Sequence, residues 1–308
     1  MRRWLKILIP IMLLTGGAVV CAIRWQAWFG MPDEPVWNGE SQEYVMPPYL
    51  ATAQKDTLSF LVLGDIHSRL SQAQYDSLAV HVPDADAIIQ VGDWMERGQG
   101  YYYQLLLREY TGSALCGKPV IAVPGNHEYS KGLVKRVSPV WENAFPHPHN
   151  GPVEVPGCSY FLDTDAARFI IIDTNPLDRL VYLTRTLTWY RYLQQSAEGR
   201  FVIVLMHHPV LSVGKGRFSP LIYSTFRHAL GEADLVIAGH DHSYMRRTPF
   251  VILNTAGKEK EQKPLYMPEV TETAAVYGKL SIEHSAFSWN VYRLDDHSLV
   301  DSLYVKHD

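Results

Sequence analysis

The chain reads as an α/β fold, a sandwich of two sheets with helices outside, and three features of the sequence point to it. Short apolar runs of strand length recur along most of the chain. Helical stretches separate the early ones, the pattern of parallel βαβ units. Apolar and polar residues then alternate near the C-terminus, as they do in antiparallel strands with one buried face. A length of 308 residues with 47% hydrophobic content supports one large or two modest globular units.

Residues 1–30 stand apart from that unit. Arg2, Arg3 and Lys6 precede an apolar run over residues 7–23, and Trp25, Trp28 and Phe29 follow it, as interfacial aromatics do. The first reading is a membrane anchor with its N-terminus in the cytoplasm, which sets the rest of the chain outside the cytoplasmic membrane. A cleaved signal peptide, cut near Val20-Cys21-Ala22 and leaving a secreted protein, is the second reading. A lipoprotein anchored at Cys21 comes third, because Val20 is a poor small-residue neighbour for it. Residues 31–56 read as a linker and 57–308 as the functional domain.

Within the domain the first strand is Phe60-Leu61-Val62-Leu63, closed by Gly64. Residues 70–80, with Leu70, Ala73, Leu78 and Val80 among polar positions, predict a helix leading to a strand at Ile88-Ile89-Gln90-Val91. The two strands are therefore expected to be parallel, with a right-handed crossover. A helix over 101–110, a strand at Val120-Ile121-Ala122-Val123 and a short helix over 138–145 follow. Residues 147–157 form a Pro-rich surface loop in which His147 and His149 pack or face solvent without a metal role. Residues 159–162 and 168–173 predict a strand pair turning at Asp163-Thr164-Asp165, which opens a second sheet.

A helix over 183–195, with Leu183, Leu187, Tyr190 and Leu193 at helical spacing, covers that sheet, and Trp189 within it reads as packing. Residues 201–206 and 235–238 are two more strands. Between them Gly214-Lys215-Gly216 lacks the spacing of a phosphate loop and reads as a site rim. Residues 258–263 read as a solvated charged loop. Strands over 278–282, 287–294 and 298–304 end the domain, the last two joined through Asp295-Asp296-His297. Cys116 and Cys158 would form a disulfide only if the fold brings them together.

Five of the apolar runs end in metal-seeking side chains. Gly64-Asp65-Ile66-His67 follows the first, Gly92-Asp93 the second and Gly125-Asn126-His127-Glu128 the third; His207-His208 and Gly239-His240-Asp241-His242 follow two later ones. The C-terminal ends of strands in an α/β sheet are where ligands and cofactors bind, so five such endings point to one shared site. Oxygen and imidazole donors without thiolate suit Zn, Mn or Fe, and are too rich in nitrogen for a calcium cage. Asp65, His67, Asp93, Asn126, His207, His240 and His242 exceed what one ion needs, and two ions sharing a carboxylate would use them all. Such a pair holds a bridging hydroxide by lowering the pKa of water from about 15.7 toward about 7, roughly 12 kcal/mol of deprotonation cost, chemistry suited to attack on phosphorus.

These five motifs, in this order and over about residues 59–245, resemble those of the calcineurin-like metallophosphoesterases. The resemblance implies a four-layer α-β-β-α sandwich of two mixed sheets with the dimetal site at strand C-terminal ends. It implies Asp65, His67 and His242 on one metal, Asn126, His207 and His240 on the other, and Asp93 bridging. His127 becomes the general acid that protonates the leaving group. The choice of His207 over His208 follows the family pattern of strand, His, any residue, Pro, closed here by Pro209. Gly92-Asp93-Trp94-Met95-Glu96-Arg97-Gly98 is similar to the Gly-Asp-x-x-Asp-Arg-Gly stretch of Ser/Thr protein phosphatases, which gives Glu96 the part of orienting His127 and Arg97 that of holding phosphate. Purple acid phosphatases carry an iron-binding tyrosine three residues after the bridging aspartate; Glu96 stands there, so no tyrosinate-iron colour is expected.

The expected function is dimetal-dependent hydrolysis of phosphate esters by a metal-bridging hydroxide, outside the cytoplasmic membrane and on phosphomonoesters first. The cofactors would be two divalent or mixed-valence ions among Mn, Fe and Zn, and the partners a phosphorylated small molecule or lipid-linked phosphate, with the membrane engaged through the N-terminal segment. A phosphodiesterase or pyrophosphatase acting on a nucleotide or lipid-linked substrate shares the same reaction centre. A non-catalytic metal-binding interaction domain is the rival from another class, and His127, Glu96 and Arg97 speak against it. A metallopeptidase is disfavoured by the absence of His-Glu-x-x-His. A net charge of −4 without clustered Lys and Arg gives no case for nucleic acid.

Overall fold

A computed structural model of the protein describes residues 55–97, 109–129, 136–138, 141, 145, 147–211, 220–258 and 267–307. The N-terminal segment expected to anchor the chain, nearly all of the expected linker, most of the helix expected over 101–110, most of the one expected over 138–145, the Gly214-Lys215-Gly216 stretch and most of the loop expected at 258–263 lie outside these residues. Among the described residues no helix is long and apolar enough to cross a membrane.

The first sheet begins with three parallel strands, β1 (Thr57–Leu63), β2 (Ala87–Gln90) and β3 (Val120–Ala122). Helix α1 (Gln72–His81) makes the crossover between β1 and β2. It starts at Ser71, whose side chain accepts from the Gln74 N–H while Gln74 reaches back to the Ser71 N–H, so two orphan donors of the first turn are satisfied. Alternation along β1 sends Phe60 and Val62 to one face and Leu61 and Leu63 to the other, and all four are fully buried. A strand buried on both faces needs a layer on each side.

The second sheet contains β4 (Tyr160–Asp163), β5 (Ala167–Ile172), β6 (Phe201–Met206), β7 (Leu235–Ala238), β8 (Tyr244–Arg247), β9 (Phe250–Ile252) and β10 (Val270–Glu272), in the order β10-β8-β9-β7-β6-β5-β4. Strands β5, β6, β7 and β9 are parallel, while β4, β8 and β10 join antiparallel. Helices α2 (Leu180–Gln195) and α3 (Pro220–Leu230) accompany it. The chain then returns to the first sheet through β11 (Val276–Glu283), β12 (Ala286–Arg293) and β13 (Leu299–Lys306), with β11 antiparallel to β1. Both sheets are therefore mixed.

Three apolar cores define the layering. One lies between the sheets, where Phe60 meets Phe169 edge-on at 5.0 Å and Phe201 meets Phe287 at 5.1 Å. A second joins the other face of the first sheet to Tyr75 and Leu78 of α1. A third joins the outer face of the second sheet to Tyr190 and Leu193 of α2 and Phe226 and Leu230 of α3. The order is helix, sheet, sheet, helix, the four-layer sandwich expected.

Several details differ from the expectation. Helix α2 begins at Leu180, three residues early, because Leu180 and Val181 are exposed and lie off the apolar stripe that marks the rest. Helix α3 and the short strands β8, β9 and β10 were not anticipated; strands of three or four residues carry too little alternation to be read. Cys116 is exposed and Cys158 buried, and no disulfide joins them. His147 is buried against the Tyr160 ring at 4.4 Å, and His149 is exposed, so neither departs from the packing or solvated part foreseen for them.

Candidate metal centre

Each expected ligand sits just beyond a parallel strand. Asp65 and His67 follow β1, Asp93 follows β2 and Asn126 follows β3, all from the first sheet. His207 follows β6 and His240 and His242 follow β7, from the second. The backbone bends sharply to aim them: Asp65, His67, Asp93, His240 and His242 all have φ between 51° and 74°. Such left-handed conformations are uncommon for non-glycine residues and concentrate at functional sites. Gly92 (φ 92°) serves the same packing, since a Cβ there would lie 2.2 Å from His207 Nδ1.

The donor atoms converge. His67 Nε2 and His242 Nε2 are 3.2 Å apart, and each lies 3.9 Å from Asp65 Oδ1. His207 Nε2 is 3.3 Å from Asp93 Oδ2 and 3.2 Å from Asn126 Oδ1. Asp93 Oδ2 is also 3.8 Å from His67 Nε2, which sets this carboxylate between the two groups. His240 joins His207 and His208 in a further cluster whose donor atoms lie within 4.8 Å of one another. All seven expected ligands thus lie in one cleft, three toward one end, three toward the other and Asp93 between.

Surrounding contacts fix which atoms face inward. His207 Nδ1 bonds the Val91 carbonyl (3.0 Å) and His242 Nδ1 the Lys258 carbonyl (3.0 Å), which leaves Nε2 of each ring as the ligand atom. Asp65 Oδ2 accepts the His240 N–H at 2.7 Å, whereas its buried Oδ1 accepts no hydrogen bond among the described residues. A buried carboxylate oxygen facing two imidazole nitrogens, with no donor of its own, is the arrangement a cation satisfies. The residues therefore fit a pair of metal ions by number, chemistry and orientation.

Charges within the cluster agree. Burial pushes the Asp65 carboxyl well above its usual range, with His207 pulling against it and Asp93 adding to it. Burial drives His67 down to about 3, so it is a neutral imidazole with a lone pair to give. Burial would likewise raise Asp93 and lower His207, but each answers the other: Asp93 is held well below the carboxylate range and His207 is pushed up to about 9. A metal ion would take over from that proton as the charge opposite Asp93.

His127 stands at the same cleft, its Nε2 3.9 Å from Asp93 Oδ2. Its main-chain N–H donates to Asp93 Oδ1 at 2.8 Å, and its Nδ1 bonds the main-chain carbonyl of Glu96. Glu96 thus meets His127 through its backbone, and its carboxylate instead accepts from Arg69 Nη2 at 3.0 Å and lies 3.7 Å from His67 Nδ1. Arg97 is exposed and makes no ion pair among the described residues. Arg69, absent from the expected set, is an exposed guanidinium beside the site, held by its pair with Glu96.

Glu128 is the other residue whose part was not foreseen. It is fully buried, and its carboxylate accepts N–H groups of Asp93 (2.9 Å), Met95 (3.0 Å) and Gly125 (2.7 Å). It locks the Asp93 turn to the Asn126 loop, and a Cβ at Gly125 would fall 2.2 Å from Asp93 Oδ1, so the two turns touch. A carboxylate directly after Asn126-His127 was the available signal.

A family model described as calcineurin-like phosphoesterase matches residues 58–244. No curated protein matches the chain in sequence. Among solved structures, a purple acid phosphatase from yellow lupin (Lupinus luteus) seeds is similar with a TM-score of 0.62 and 14% identity, covering 85% of this chain and 55% of its own. GAP50, described as the anchor in the inner membrane complex of Plasmodium, gives 0.59 and 14%, covering 82% and 90%. PhoD gives 0.51 and 10%, covering 85% and 70%. This chain thus spans about half the length of the lupin protein, and at such identities the likeness is one of fold.

Proposed function

Since this chain belongs to the calcineurin-like phosphoesterase family, we propose that it hydrolyses phosphate esters at the cleft described above, phosphomonoesters first, with its domain outside the cytoplasmic membrane. The observation that carries the catalytic reading is His127. A histidine poised beside the carboxylate shared by two ligand groups, with its Nδ1 on a fixed carbonyl, has a purpose in catalysis that metal storage would not require.

Asp65, His67 and His242 would hold one ion and Asn126, His207 and His240 the other, with Asp93 between them. Ions of this kind supply a water of lowered pKa and positive charge opposite the phosphoryl oxygens. The protein's own groups do the rest. The Glu96 carbonyl accepts from Nδ1–H of His127, so the proton available for transfer sits on Nε2, which faces the cleft. As the bond from phosphorus to the ester oxygen breaks, that proton passes to the departing oxygen and His127 is left neutral with Nδ1–H intact. Arg69, beside the site through Glu96, and Arg97, by its place in the motif, would meet the phosphoryl oxygens. The apolar run at residues 7–23, behind Arg2, Arg3 and Lys6, supports the location and makes a lipid-linked phosphate a candidate substrate beside small phosphomonoesters.

The test is metal content together with turnover of p-nitrophenyl phosphate and bis-p-nitrophenyl phosphate by the full-length protein. Two ions per chain, with turnover stopped by chelator and lost in Asp93→Asn, is the expected result. Faster cleavage of the diester would replace the monoester reading by the diesterase one. Bound metal without turnover of either ester would favour an interaction domain, and a chain that takes up no metal would overturn the proposal.

A further inference from the structure

The pattern of apolar strand followed by polar side chains occurs a sixth time, where none of the five ligand-bearing motifs lies. Strand β5 runs through Phe169-Ile170-Ile171-Ile172 into Asp173, Thr174 and Asn175, and all three of these polar residues are buried. Burying a carboxylate is expensive unless its oxygens are filled, and those of Asp173 are. The Tyr129 hydroxyl donates to Oδ2, while the Asn175 N–H and Nδ2 donate to Oδ1, each at 2.9 Å. Behind it, the Asp173 N–H donates to Ser159 Oγ and the Tyr182 hydroxyl to the Asp173 carbonyl, both at 2.8 Å.

What this carboxylate and its partner Asn175 hold together is the loop that carries Asn126 and His127. Asn175 Nδ2 also reaches the carbonyls of Pro124 and Gly125, each at 3.2 Å. Tyr129 lies at the far end of the same segment. Residues 124–129, which include Asn126 and His127, are therefore tied at one end to Asn175 and at the other to Asp173, two hydrogen-bonded side chains just past β5. The loop leaves the first sheet at β3, where Glu128 binds it to the Asp93 turn. Thr174 continues the support, since its Oγ1 bonds His208 Nδ1 at 2.7 Å and accepts the His208 N–H at 3.1 Å.

We infer that Asp173 and Asn175 are positioning residues that set Asn126 and His127 against Asp93, and so govern the second metal position and the proton-donating step. The inference rests on the dimetal phosphoesterase reading. Asn126 Oδ1 stands 3.2 Å from His207 Nε2. A shift of the loop by a fraction of an ångström spoils that pair while leaving Asp65, His67 and His242 in place. Partners of this outer kind typically change metal affinity about 10- to 100-fold.

The experiment titrates metal-stripped full-length protein with Zn²⁺ by calorimetry and, in parallel, follows turnover of an alkyl phosphate, whose leaving group needs a proton, at saturating metal. Asp173→Asn and Asn175→Ser are expected to weaken the second binding step about 10- to 100-fold while the first stays at the wild-type value, and to lower kcat with KM little changed. Asp301→Asn, at a tie between β8 and β13, is the control for a purely structural effect: it should lower the melting temperature and leave both affinities intact. If Asp173→Asn does not fold, Asn175→Ser and Tyr129→Phe decide, as each removes one arm of the network. Folded variants that bind both ions like the wild type would overturn the inference and leave the phosphoesterase reading standing. A wild-type chain that binds no second ion would overturn both.

Discussion

At the scale of single residues, the division of labour around His127 makes a sharp expectation. Its Nδ1 is committed to the Glu96 carbonyl, so Nε2 is the only nitrogen with a proton to deliver into the cleft. The contribution of that proton depends on the leaving group. An alkoxide needs it, whereas p-nitrophenolate departs well enough alone. His127→Ala should therefore slow hydrolysis of an alkyl phosphate by about 10²- to 10⁴-fold, the usual worth of general acid catalysis, and that of p-nitrophenyl phosphate much less. Equal losses on the two esters would mean that His127 binds or orients and does not donate. The seven candidate ligands were legible because each is an Asp, Asn or His at the end of an apolar run. Asp173 and Asn175 obey the same rule and were passed over, because nothing in a linear sequence says that they serve the loop of another strand. The side-chain part of Glu96 was misjudged for a related reason, since position alone does not tell a carboxylate contact from a carbonyl one.

At the scale of elements, the long strands and helices α1 and α2 were readable from periodicity, whereas helix α3 and the pairing of distant strands were not. That β11, β12 and β13 return to the first sheet depends on which edge remained open beside β1, a tertiary matter. The return creates a tie between sheets. Asp301 on β13 accepts from Arg246 Nε at 2.6 Å and Nη2 at 3.0 Å, and from the Tyr244 hydroxyl at 2.6 Å, both donors on β8. Burial would raise the Asp301 carboxyl, but Arg246 and Tyr244 hold it below its ordinary value of 3.8. A carboxylate whose pKa is depressed on folding contributes stability that is present above its unfolded value, about 3.9, and is lost as pH falls through the folded one. Asp301→Asn should cost about 2 kcal/mol near neutral pH, the scale of a hydrogen bond to a charged group. Unfolding curves in denaturant should show the gap between wild type and variant closing as pH drops below about 4. A gap of constant size down to about pH 2 would show that the charge of Asp301 adds nothing.

At the scale of the whole molecule, the two sheets meet in the candidate centre as well as in the core. Asp65, His67, Asp93 and Asn126 come from strand ends of the first sheet, and His207, His240 and His242 from the second. Either ion would therefore be held by both sheets, and metal becomes a staple across the sandwich. Without it the protein keeps two buried carboxylates close together and five ligand residues in left-handed conformations, each costing on the order of 1 kcal/mol. Binding to the folded state alone adds about 2.7 kcal/mol per ion at a hundred times its Kd, or about 5 kcal/mol for two. In a domain of this size each kcal/mol moves the melting temperature by about 2–4 °C, so chelation should lower it by roughly 10–20 °C. Restoring Mn²⁺ or Zn²⁺ should bring it back, and Asp93→Asn, which removes the carboxylate shared by both groups, should lose most of the response. The measurement is a thermal melt with and without chelator, read alongside metal content. A protein that carries two ions by analysis yet melts at the same temperature after losing them would mean that the sheets are held by their shared apolar core alone and that the ions serve only chemistry.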